Sequence, residues 1–158
     1  MEKLSLQEDI LSLLRSKSRC LRRMLDAGGK FLTIPDSQLV QIESIENGEA
    51  SLAVYDSERE GIMNALSLYD RKLTEMIQAL DPNQRVGNWI ESARSEMVIN
   101  ETLVMSVLDM DDQVMKKISQ AQVQISQQLA ENRQSREKVA KFKSTWISDN
   151  GDEVDTTL

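Results

Sequence analysis

Between Gly87 and Gly151 the chain carries neither a glycine nor a proline. These two residues are the strongest interrupters of regular backbone, so the whole span is expected to be helical. Within it an apolar stripe runs Ile118, Ala121, Ile125, Leu129, Asn132, Arg136, Val139, Phe142 and Trp146, always in steps of three or four. That spacing keeps one helix face turned toward a partner over many turns.

Two shorter helices precede it. Leu6, Ile10, Leu13, Lys17, Cys20 and Met24 form a heptad seam, widened by Leu14, Leu21 and Leu25, which predicts a helix over 4–25. Gly28-Gly29 and then Pro35 are expected to end it. A short helix starting at Asp36 is expected over 36–46, with Asn47-Gly48 as its stop. Tyr55, Ile62, Leu66, Tyr69, Leu73, Met76 and Leu80 predict a second long helix over 51–80, with Asp56, Arg59, Glu60, Asp70, Lys72 and Glu75 on a solvated face. Asp81-Pro82-Asn83-Gln84 has the chemistry of a helix start, from which the chain can stay helical to about Trp146, with a kink or break between Glu96 and Glu101 left open. The expected fold is therefore all-α: an elongated antiparallel bundle of three long helices plus one short helix, with a long C-terminal helix. Residues 1–146 form the bundle, and the acidic tail 147–158 is expected to be flexible.

At 1.5 Å per residue the first two long helices span about 33–45 Å, whereas Asn100 to Lys143 alone spans about 65 Å. The last helix offers more apolar surface than shorter neighbours can cover. The stripe either folds back into the protein or meets a partner, and Trp146 favours the partner, since aromatic anchors concentrate binding energy at interfaces. Asn132 and Arg136 occupy core-facing positions of the stripe, where a polar residue sacrifices stability and fixes register or partner choice.

Composition narrows the function. The net charge of −7, with 26 acidic against 19 basic residues, disfavours nucleic acid and anionic membrane. Aromatic residues make up only 4%, so the core rests on aliphatic residues and eight methionines. Cys20 is the only cysteine, so no internal disulfide can form, which fits a reducing cytoplasm; its leucine-rich surroundings mark it as a core residue. No run of apolar residues suits a signal peptide or a membrane span.

Enzyme chemistry finds little support. The absence of histidine removes Ser-His-Asp and Cys-His arrangements and His-ligated metal sites. On a helix Asp109 and Asp112 share one side while Asp111 points roughly 160° from Asp109, and the group reads as a solvated acidic turn or a polar interruption of the seam. Asp149-Asn150-Gly151-Asp152-Glu153 lacks the glycine and glutamate positions of a calcium loop. Gly28-Gly29 and Gly87 make no phosphate loop. Glu58, Glu91 and Glu96 are not grouped by spacing. Arg15, Arg19, Arg22 and Arg23 form a basic patch expected to pair with acidic residues. No cofactor and no metal are expected.

The segment DSEREGIMNALSLYDRKLTEMIQAL (Asp56–Leu80) and the closing KVAKFKSTWISDNG of the last helix, in an acidic helical chain of this length, resemble the cytoplasmic export chaperones of the bacterial flagellum. The resemblance is chiefly to the FlgN-like chaperones of hook-associated proteins. The long Pro35–Ala50 connection and the Asp109–Asp112 interruption depart from that pattern. The resemblance implies a non-enzymatic chaperone of type III secretion. Its last helix would hold an amphipathic helix of an export substrate, prevent premature assembly and present the client to the export apparatus. The expected partner-binding residues are Ile118, Ile125, Leu129, Asn132, Arg136, Val139, Phe142 and Trp146. The alternative is a structural or regulatory coiled-coil protein that homodimerises through the same stripe.

Overall fold

The computed structural model describes residues 5–40 and 52–152 of the backbone, with side chains described over 6–39 and 52–146. Its helices are α1 (Ser5–Thr33), α2 (Asp36–Val40), α3 (Leu52–Ala79) and α4 (Trp89–Asp152), with a 3-10 turn at Pro82–Gln84. No strand occurs among the described residues, and the fold is an all-α bundle. By its contacts the chain divides into two units, Met1–Ile118 and Ser119–Leu158.

Three apolar clusters set the topology of the first unit. Ile10 and Leu14 of α1 meet Leu73 and Leu80 from the α3 end and Ala93 of α4. Cys20, Leu21 and Met24 meet Ile62, Leu66 and Val107. Ala27 and Phe31 meet Tyr55 and Val114. Along α1 the partners in α3 run backward and those in α4 run forward, so α3 is antiparallel to both. The heptad seams produce this order because each presents about one residue per turn to the shared core.

Helix α1 passes straight through Gly28-Gly29, beyond the end expected at Leu25. Two glycines weaken a helix by about 1 kcal/mol each relative to alanine. Tertiary packing overrides that cost here: Phe31, one turn on, is buried against Tyr55 with ring centroids 4.9 Å apart. At Gly28 the missing side chain has a use, since a Cβ there would stand 2.5 Å from Met110 Cγ of α4. The helix ends at Thr33, before Pro35. Lys117 of α4 then donates to the Leu32 carbonyl (3.2 Å) and to Asp36 (3.0 Å), satisfying an end-of-helix acceptor with a cation. Helix α2 is described only as far as Val40, so the expected remainder of the short helix lies outside the described residues.

The expected start at Asp81 forms a 3-10 turn rather than the first turn of the long helix. The Asp81 N–H donates to Gln84 Oε1 (3.0 Å), and the Gln84 N–H to the Asp81 carbonyl (2.8 Å). Gly87 then adopts φ +117°, a left-handed conformation that a side chain would resist, and α4 begins at Trp89. The Trp89 indole N–H donates to the Gln84 carbonyl (3.0 Å), as does Gln7 of α1 (3.1 Å). The interruption thus falls at Gly87. Between Glu96 and Glu101, where the sequence leaves a kink or break open, α4 is continuous. Its C-terminus also runs past Trp146 and through Gly151 to Asp152, beyond the end expected at Trp146; residues 153–158 lie outside the described residues.

Candidate functional site

The core-facing seam of α4 is Ala93, Asn100, Val107, Val114 and Ala121, one residue every seven, all buried. Sequence reasoning began the stripe at Ile118 and missed this earlier part, although the strict interval of seven was legible. Asn100 is the polar member. Its Oδ1 accepts from Ser18 Oγ of α1 (2.6 Å), and its Nδ2 donates to the Leu14 carbonyl (3.3 Å). Such a buried polar pair fixes the register of α1 against α4, since sliding either helix leaves polar atoms without partners.

The expected binding residues divide sharply. Ile118 packs against the Phe31–Tyr55–Val114 cluster. Ala121 is buried and Ile125 half-buried. From there on the face is open: Leu129 is 58% exposed, Val139 52%, Phe142 70% and Trp146 63%. Asn132 and Arg136 are exposed as well. Asn132 and Arg136 therefore face solvent in the lone chain rather than a core. The open part of the site is Leu129–Trp146, and every residue in it is exposed.

Other sequence candidates take structural roles. Asp111 pairs with Arg59 of α3 (2.7 Å to Nη2, 3.4 Å to Nε), so Arg59 is half-buried rather than part of a solvated face. This hydrogen bond holds the Arg59 guanidinium more firmly protonated than usual. Burial, reinforced by the Asp111 charge, raises the pKa of the neighbouring Tyr55 phenol. Asp109 accepts from Gln113 (3.1 Å), so the three aspartates do not converge. Asp70 pairs with Lys17 at 2.6 Å. In the basic patch, Arg15 pairs with Glu96 (3.2 Å) and Arg19 donates to Ser16 (3.1 Å), while Arg22 and Arg23 are exposed. Among the described residues no three acidic or cysteine side chains gather as a metal site.

The first unit also has an open apolar groove of about 720 Å³, lined by Ile10, Leu14, Leu73, Ile77, Leu80 and Met97 among others. Two of the cations at its edge are engaged: Lys17 with Asp70, and Arg85 with the Leu80 carbonyl (3.1 Å).

Comparison with protein-family models, curated proteins and solved structures finds no match to this chain. Among the described residues, no helix is long and apolar enough to cross a membrane.

Proposed function

We propose that the protein is a non-enzymatic cytoplasmic chaperone that receives an amphipathic helix of an exported client on the Leu129–Trp146 face of α4. One observation carries the reading: four large apolar side chains stand more than half exposed on one stretch of one helix. A helix laid on them is held as in helix-in-groove recognition, with anchors three and four residues apart over Val139, Phe142 and Trp146 and a further one at Leu129.

The magnitudes suit a reversible holder. Burying a large apolar side chain contributes about 1.5–3 kcal/mol, so four that are already partly shielded contribute roughly 5 kcal/mol. A complementary client face adds a similar amount, and association costs at least about 4 kcal/mol. The balance, at most about 6 kcal/mol, corresponds to a Kd of tens of micromolar, an affinity that allows release. The resemblance to FlgN-like chaperones supplies the client class, hook-associated proteins, and the purpose, which is to prevent premature assembly before export.

The test is co-expression with hook-associated proteins. Leu129→Asp with Phe142→Asp should abolish co-purification of the client bound by the parent chain. Retention of every client would place binding elsewhere. A chain that light scattering finds wholly dimeric at low micromolar concentration, with the dimer lost in the same variant, would favour the homodimer instead.

A further inference from the structure

The open face is not purely apolar, and its charges select the partner. Residues 129–146 hold five cations (Arg133, Arg136, Lys138, Lys141, Lys143) against Glu131 and Glu137, in a chain whose net charge is −7. Arg133 is engaged by Glu137 at 3.6 Å, and neither Arg136 nor Lys143 has an ion pair among the described residues. At about 100° per residue, Arg136 and Lys143 lie only about 20° apart around the helix, between Leu129 and Val139. Lys138 and Lys141 fall on the opposite side, about 140° or more from Arg136. Two cations one heptad apart thus sit inside the apolar stripe, where any helix laid on it must face them.

Resting on the client reading above, we infer that the partner is an acidic amphipathic helix, with two carboxylates one heptad apart opposite Arg136 and Lys143. A second copy of the chain does not meet that need. In parallel register it sets Arg136 against Arg136, and in any register its stripe, Ile118 to Trp146, holds no carboxylate to answer the two cations. An anionic membrane is also disfavoured. Surface-lying helices carry their cations at the flanks of the apolar face, where the side chains reach headgroups, rather than along its middle. The carboxylates of Asp149, Asp152, Glu153 and Asp155, just beyond Trp146 in sequence, repel an extended polyanion. Discrete carboxylates on a partner helix match the two cations.

The experiment uses the full chain and two labelled synthetic helices with identical leucine anchors, followed by fluorescence anisotropy. One carries glutamates one heptad apart, the other lysines at the same positions. The acidic helix should bind about tenfold tighter at low salt, the summed effect of two exposed pairs gained and two like-charge contacts avoided. Arg136→Glu with Lys143→Glu should reverse the preference; both positions are exposed, so circular dichroism should show unchanged helicity. Equal binding of the two helices, abolished by Leu129→Asp/Phe142→Asp, overturns the charge inference and leaves the client reading standing. Failure of both helices to bind, or binding that ignores Leu129→Asp/Phe142→Asp, removes both. Binding to vesicles of anionic phospholipid that is lost in the charge-reversed variant overturns the inference in favour of a lipid surface.

Discussion

Adjacent glycines in α1 should respond oppositely to the same substitution. At Gly29 a Cβ meets nothing within 4 Å, so Gly29→Ala gains helix propensity and restricts the unfolded chain. That stabilises by about 0.4–1 kcal/mol. At Gly28 the same gain is opposed by a Cβ 2.5 Å from Met110 Cγ and 3.1 Å from its Sδ. Cγ lies close to the α4 backbone, so the methionine cannot simply swing its tip away. Its displacement disturbs the Ala27–Phe31–Tyr55–Val114 cluster it packs against. Overpacking of this kind costs about 1–3 kcal/mol. The two variants should therefore differ by about 2 kcal/mol, or about 4–8 °C in Tm for a chain of this size. Thermal and urea unfolding followed at 222 nm measure the gap. Met110→Ala should erase it, giving a coupling energy of about 1–3 kcal/mol with Gly28→Ala in a double-mutant cycle. If Gly28→Ala stabilises as much as Gly29→Ala, the close approach of α1 and α4 is wrong.

Asn100→Ala should cost roughly 1–2 kcal/mol, because it removes two buried hydrogen bonds, to Ser18 and to the Leu14 carbonyl, while the Ser18 hydroxyl keeps the Leu14 carbonyl as an acceptor at 3.3 Å; urea unfolding reads the loss. Asp111→Asn should cost roughly 1 kcal/mol, since the Arg59 pair is only partly buried, with the same assay. Tyr55 has a folded pKa raised above 10.0, so its neutral form is favoured in the fold. Its contribution is complete below pH 10.0 and is lost as pH rises through the folded value, because the unfolded phenol ionises first. Melting curves from about pH 9 to 11 should therefore fall less steeply for Tyr55→Phe than for the parent.

The sequence was most legible where one physical rule acted alone. An uninterrupted run without glycine or proline became α4, and the Tyr55–Leu80 heptads became α3 nearly to the residue. It misled where tertiary contacts overrode local preference. Gly28-Gly29 reads as a stop, yet the Phe31 anchor and the close approach of Met110 keep α1 helical. Pro82 reads as a helix start, but Gly87 separates that turn from the helix proper. Arg59 reads as solvated because only its partner Asp111, distant in sequence, draws it inward. At the candidate site, periodicity picks out a single helix face, whereas the point where burial gives way to exposure, between Ile125 and Leu129, depends on packing that no local pattern encodes.

Isothermal titration of a hook-associated protein's terminal helix into the purified chain tests the central claim most directly. The expected result is one-to-one binding, with a Kd of tens of micromolar, that weakens at least about tenfold when Leu129 and Phe142 both become aspartate. Binding of equal strength to the parent and to that variant would contradict it.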